Sequence, residues 1–371
     1  MKKMANLFKT RIKDAEFVCF AGNVKSAVKD ADDNFIVSIS ELKRLIDNKK
    51  IDKVILLADT HGPGELREFM KSCFRNGIDF RKILFLAEYK WFIDRLGGKN
   101  FVSFKNLLKD AKRKLPIING LEYEMVEFCN LNCKRCNHYS NIFTDGKLID
   151  FETFRADMDL LSKLTCNIKR FKLLGGEPLL HPELYRFVEY SRKVFPRAPI
   201  SIITNGFLIP KMNSATINAI KKTGTVVEVS IYPPMKKHFG EIEKFLKTHG
   251  ISYKIFRDGD KFGAYINPKG DSNKMWAMMQ CYAQVCHAIK NGYLYKCTSM
   301  MNISVLNKQF STNFPVERLK ISDIPIDSAG EILTNYLLDT LEMCRFCTRF
   351  KYHDWEQTRN DAKLDDWLVN S

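Results

Sequence analysis

Three cysteines fall within eight residues, Cys129-Asn-Leu-Asn-Cys133-Lys-Arg-Cys136, directly behind a strand pattern over 121–128. A loop that must gather three thiols admits few designs. The thiolates can wrap three corners of a cubane iron–sulfur cluster, leaving the fourth iron without a protein ligand and open to a small chelating molecule. The same spacing also admits a zinc site completed by a fourth ligand such as His138. The chain begins with positive charge but no following apolar stretch, so its start does not read as a signal peptide. In a reducing compartment, clustered cysteines hold metal or do chemistry, and the cytoplasm is the expected setting. Of the eleven cysteines, Cys19, Cys73 and Cys166 lie singly in apolar stretches and read as ordinary buried residues. The others fall at 281, 286 and 297 and at 344 and 347.

The chain is long and apolar enough for about two or three domains. No run of about 18 apolar residues occurs, so no membrane span is expected. Residues 1–118 read as an α/β unit. Apolar runs at 17–20, 54–57 and 83–86 fit buried parallel strands. Leu66, Phe69, Met70, Cys73 and Phe74 mark one face of an amphipathic helix between the last two. This resembles a small Rossmann-like sheet, yet Ala21-Gly22-Asn23 is not the glycine fingerprint of a dinucleotide site. A basic stretch from Lys109 to Lys114, closed by Pro116, reads as a linker. From 121 onward, strand patterns at 121–128, 169–174, 199–204, 226–231 and 252–256 alternate with helical ones. That implies a parallel sheet with right-handed crossovers, curling into a full or partial barrel. Its reactive end lies where the strands' C-termini point.

Further short motifs follow the cysteines in order, each behind a predicted strand: Gly175-Gly176-Glu177-Pro178, Thr204-Asn205-Gly206, and Ser230 within Val229-Ser230-Ile231-Tyr232. With these in place the chain resembles the radical S-adenosylmethionine superfamily over about 121–260, and the zinc reading recedes. The resemblance implies a 4Fe–4S cluster on Cys129, Cys133 and Cys136. It implies S-adenosylmethionine held by Gly175, Gly176, Glu177, Pro178, Thr204, Asn205 and Ser230. It implies reductive cleavage of that cofactor to a 5′-deoxyadenosyl radical, which takes hydrogen from a substrate carbon. The family usually has an aromatic residue before the third cysteine; here it is Arg135, whose guanidinium can stack on a purine.

Cys281, Gly292, Cys297 and the pair Cys344-Arg-Phe-Cys347 resemble the family's SPASM/Twitch extension. That implies a second, auxiliary 4Fe–4S cluster; a structural zinc site on the same residues is the alternative. Cys286 is surplus: it could replace Cys281 as a ligand, pack as apolar filler, or give a hydrogen atom back to a substrate radical. The expected fold class is α/β: a partial (β/α) barrel core over 119–260, an N-terminal Rossmann-like α/β domain over 1–118, and a small α+β auxiliary-cluster domain over 261–371.

The net charge of +16 suits a phosphorylated substrate or an acidic electron donor such as flavodoxin or ferredoxin. It equally suits a lysine-rich solvated surface. No basic run interleaved with aromatics specifies nucleic acid. The expected function is an enzyme on a sugar nucleotide, glycan precursor or similar metabolite, performing an epimerisation, dehydrogenation or rearrangement. A peptide-modifying maturase is a second reading, and a non-catalytic iron–sulfur protein a third. Relatives that act on peptides often carry a winged-helix element, whereas 1–118 reads as βαβ. A pure electron carrier would need no cofactor cradle.

Overall fold

The computed structural model describes residues 20–22, 28–29, 35–48, 54–57 and 83–86, and then 117–369 apart from 144, 166, 275–276, 278–280, 282–285, 339 and 360. Cys19, Cys73, Cys166, the helix expected over 66–74 and the linker at 109–116 lie outside the described residues. The chain divides into two units, Met1–Lys114 and Leu115–Ser371.

In the first unit, β1 (Phe20–Gly22), β2 (Val28–Lys29) and β3 (Phe35–Ser38) form one sheet, with β1 parallel and β2 antiparallel to β3. Helix α1 (Ile39–Asp47) buries Leu42 and Ile46. The apolar runs β4 (Val54–Leu57) and β5 (Ile83–Leu86) pair in parallel. The described strands thus fall into two sheets where one was expected.

In the second unit, short β6 (Ile117–Ile118) pairs with β8 (Asn167–Ile168), flanking β7 (Leu121–Val126) and α2 (Phe151–Leu164). Then come β9 (Phe171–Gly175), α3 (Leu184–Val194), β10 (Ile200–Thr204), α4 (Ser214–Thr223), β11 (Val226–Ile231), α5 (Phe239–Thr248) and β12 (Tyr253–Asp258). Phe154, Met158 and Leu161 are buried on α2, as their spacing predicts. Asp150 caps α2 by accepting from the backbone N–H groups of Glu152 and Thr153, each at 3.0 Å. Asn213 caps α4 in the same way. Pro182 stands just ahead of the α3 cap at Glu183.

The later chain adds β13 (Lys261–Ile266), β14 (His287–Lys290), β15 (Tyr293–Tyr295), α6 (Thr298–Phe310), β16 (Leu319–Lys320), α7 (Ala329–Leu338) and β17 (Cys347–Asp354). The main sheet runs β12-β11-β10-β9-β7-β14-β15-β16. Its first six strands are parallel. The strand next to β7 therefore comes from 287–290, beyond the expected end of the core at 260, and 115–371 form one unit.

Strand β7 alternates two environments. Leu121, Tyr123 and Met125 join the apolar core with Phe154, Phe171 and Phe187, while Glu122 and Glu124 on the other face are buried too. Glu122 stands opposite Lys172 in the β7–β9 register. Period-two alternation thus puts the polar face of the sheet inside the molecule.

Candidate functional site

The loop after β7 carries the three cysteines, and its winding is tight: Asn132, Arg135 and Tyr139 all have positive φ, between 47° and 63°. Residues other than glycine hold that conformation where surrounding contacts enforce it. Leu131, Cys133 and Phe262 form an apolar cluster with Cys129, Cys136, Phe207, Tyr232 and Trp355 packed against it. Burial pushes the Cys129 thiol up to about 12, and nearby Glu177 and Cys136 add to the shift. Cys136 moves in the same direction, again chiefly through burial. Thiols buried among apolar groups keep their protons until a metal displaces them.

A cleft of about 200 Å³ is lined by all three cysteines together with Gly175, Gly176, Thr204, Asn205, Ser230 and Cys286. The parallel sheet gathers the motif residues because each of their loops leaves the same end of its strand, whereas Cys286 stands just ahead of β14. Asn205 Nδ2 donates to Asn130 Oδ1 at 2.8 Å and lies 3.7 Å from Cys129 Sγ. A register shift between Val229 and Ser230 marks a bulge where Ser230 meets the cleft.

Glu177 and Pro178 do not line the cleft. Glu177 is fully buried beneath it, accepting from Leu179 N at 3.0 Å, Thr204 Oγ1 at 2.7 Å and Asn205 N at 2.9 Å. Its carboxyl joins two motif loops. Burial raises it to about 7 against the pull of those three donors. Pro178 opens a single 3₁₀ turn behind it.

Gly175 and Gly176 line the cleft and also allow close backbone packing. A Cβ on Gly176 would overlap the Phe128 carbonyl oxygen and come 2.9 Å from Cys129 N; one on Gly175 would overlap Val126 O. Gly175 thus lets β9 close on Val126 at the end of β7, and Gly176 lets it close on the start of the cysteine loop at Phe128 and Cys129. Arg135 is not among the cleft-lining residues, and its Nη1 lies 3.7 Å from Glu356 Oε2, buried and without a hydrogen bond.

The structure brings Cys281, Cys297, Cys344 and Cys347 together. Burial lifts Cys297 to about 12, with Cys281 and Cys344 adding to it. Cys347 is raised by burial and then by Cys297, Cys281 and Cys344. Cys286 is elsewhere: its Sγ lies 3.7 Å from Lys172 Nζ in the first cleft, and burial raises it to about 11. The eight described cysteines are thiols, not disulfides. Among the described residues no three His, Cys, Asp or Glu side chains close around a single-ion position; His138, the fourth ligand of the zinc alternative, is hydrogen-bonded to Glu124 at 2.9 Å.

Sequence reasoning missed the polar floor of the cleft. Lys172 Nζ donates to Glu122 Oε1 at 2.9 Å, and Thr298 Oγ1 donates to the other carboxylate oxygen. Burial alone would raise Glu122, but Lys172, His138 and Thr298 reverse it and hold it below the usual range. Charged residues inside otherwise apolar strands were the available signal. Ser140 Oγ and Asn141 Oδ1, buried where Ser140 and Asn141 line the cleft, have no hydrogen-bond partner.

Residues 123–253, which carry the cysteine loop and the three strand-end motifs on the parallel sheet, match the model of the radical SAM superfamily. Similar relatives include GTP 3′,8-cyclases. That of Trichodesmium erythraeum is 31% identical over 103 residues, 26% of this chain and 30% of the relative. That of Aquifex aeolicus is 25% identical over 160 residues, 40% and 48% of the two chains. The chain therefore spans less than half of these relatives. Among solved structures, BtrN in complex with AdoMet and 2-DOIA is similar at 20% identity with a TM-score of 0.41, over 63% of this chain and 94% of that one. Streptococcus suis SuiB bound to S-adenosylmethionine is similar at 15% identity and 0.34, over 52% and 49%. Among the described residues, no helix is long and apolar enough to cross a membrane.

Proposed function

We propose that this protein is a radical S-adenosylmethionine enzyme that takes hydrogen from a carbon of a small polar metabolite, such as a sugar nucleotide or glycan precursor. One observation carries the reading: a single cleft collects Cys129, Cys133 and Cys136 with Gly175, Gly176, Thr204, Asn205 and Ser230. The donor set fits a 4Fe–4S cluster, since three partly or wholly buried thiols share apolar surroundings and unpartnered polar atoms border the same cleft. When bound, the cluster and S-adenosylmethionine would supply a one-electron reduction that generates an organic radical.

The chain's own residues orient and exclude. Thr204, Asn205 and Ser230 offer hydrogen-bonding groups at the strand ends, and Glu177 holds two of those loops in register. Leu131, Phe207, Tyr232, Phe262 and Trp355 keep water from the thiols. Lys172, Glu122 and Thr298 present a charge-balanced polar floor to the substrate, and Cys286, lining the same cleft, serves as the hydrogen-atom donor. Cys281, Cys297, Cys344 and Cys347 are the ligand set for an auxiliary 4Fe–4S cluster. An acidic carrier such as flavodoxin or ferredoxin suits a chain of net charge +16 as electron donor.

Anaerobic reconstitution with iron and sulfide tests the reading. The expected product is a brown protein with about eight irons, of which replacing Cys129, Cys133 and Cys136 by Ala removes about half. It should cleave S-adenosylmethionine to 5′-deoxyadenosine under reduction. Cys286→Ala should keep the full iron content and the cleavage but lose product. Colourless protein holding stoichiometric zinc under those conditions would sink the proposal.

A further inference from the structure

A C-terminal strap crosses the cysteine loop. Lys134 N donates to Glu356 O at 2.8 Å, Thr358 N to Asn132 O at 2.8 Å, and Gln357 Nε2 to Leu131 O at 3.1 Å. An antiparallel bridge joins Cys133 to Gln357. Behind the strap, Trp367, fully buried, donates from Nε1 to Cys136 O at 3.0 Å. Lys134 Nζ adds ion pairs to Glu356 at 3.2 Å and to Asp366 at 3.4 Å. The loop is thus held from two sides, by the strand ends beneath it and by residues more than 200 positions later in the chain.

Within the strap, one contact reaches a ligand atom. Trp355 Nε1 donates to Cys133 Sγ at 3.2 Å, and the Trp355 ring packs on the apolar cluster around the cysteines. We propose that Trp355 is a positioning residue that fixes Cys133 and sets the reduction potential of the cluster held by the loop. The inference rests on the cluster reading above and adds to it. An N–H donor aimed at a ligand sulfur stabilises the more negatively charged, reduced state over the oxidised one. Removing the donor makes the cluster harder to reduce. The indole also occupies a position next to the sulfur that water would otherwise fill. Phenylalanine in its place keeps most of that exclusion and deletes only the donor.

The test compares wild type with Trp355→Phe, both anaerobically reconstituted, in a redox titration followed by electron paramagnetic resonance. The signal followed is the one that changes on adding S-adenosylmethionine, which separates the loop cluster from any auxiliary one. The expected result is an unchanged iron count and a potential more negative by about tenfold in the reduction equilibrium, which is about 59 mV for one electron. Trp355→His, which retains a ring N–H, should return part of that shift. Overlapping titrations for wild type and Trp355→Phe at equal iron would overturn the inference while leaving the cluster reading intact. Should Trp355→Phe lose the loop cluster, Trp355→His decides: a potential below wild type supports the inference, and an unchanged one overturns it. A wild type that takes up no such cluster would overturn both.

Discussion

Gly176→Ala is the sharpest test of how the second motif works. If that glycine merely cleared space for a ligand, adding one methyl would weaken cofactor binding and leave the fold and the iron alone. The structure requires the opposite order of damage. The new Cβ would overlap Phe128 O and stand 2.9 Å from Cys129 N, inside the 3.0 Å limit that real Cβ atoms essentially never cross. Both atoms are backbone, so no side chain can swing away, and relief demands that the first residue of the cysteine loop move. Overpacking costs about 1–3 kcal/mol where side chains can adjust, and a backbone obstacle puts this variant at about 3 kcal/mol or more. For a unit of this size that lowers the melting temperature by roughly 6–12 °C. Gly240→Ala is the control: it is helical, meets nothing within 4 Å, and should gain about 0.5–1 kcal/mol. Thermal unfolding of the metal-free proteins reads both, and iron uptake by Gly176→Ala should fall as well. A Gly176→Ala protein with unchanged melting temperature and full iron, defective only toward S-adenosylmethionine, would refute the reasoning.

Two further outcomes follow from buried charge. Lys172→Met should destabilise by about 3–5 kcal/mol, because Glu122 is left buried without its cation, while Glu122→Gln with Lys172→Met should recover much of the loss; urea denaturation giving strictly additive costs would count against the pair. Glu177 is raised to about 7 from an unfolded value near 4.5, so the folded state holds its proton more tightly. Its stabilising effect is complete below about 4.5 and is lost as pH rises through about 7, by on the order of 3 kcal/mol. Glu177→Gln should flatten that slope in urea unfolding followed from pH 4.5 to 8.

What was legible in the sequence divides along a physical line. Strand positions in the second unit were readable because each is a short apolar run set off by turn residues, and β7, β9, β10, β11 and β12 fall within about two residues of the patterns. Local spacing also exposed Cys129, Cys133 and Cys136. The same pattern could not reveal that β14 joins β7, since His287-Ala-Ile-Lys carries no period of its own and pairing is a long-range event. Nor could it place Cys286, five residues from Cys281, with Lys172 rather than with the other thiols. The packing role of Gly175 and Gly176 was not readable, because a glycine that admits a ligand and one that admits a neighbouring strand look alike in one dimension. The neighbour of Arg135, Glu356, lies 221 positions on and is likewise invisible to local spacing.

The segment after 260 is also why the site cannot be divided as the motifs suggest. Strand β17 begins at Cys347, in the four-thiol group, and ends at Asp354, one residue before the indole that touches Cys133. Eight residues of strand span about 26 Å, so one rigid element has a thiol group at each end. It is fixed along its length by antiparallel pairing with β13, and Trp367 ties the tail back to Tyr265 and Ile266 of the same strand by accepting their N–H groups. Meanwhile β14 pairs with Leu121, Glu122 and Tyr123, covering the edge of β7 over its first half. A core ending at 260 would therefore expose the β7 edge, lose the donor to Cys133 and release Lys134, Asn132 and Leu131 from the strap together. The three-cysteine loop is local in sequence, but the forces that shape it come largely from the last hundred residues.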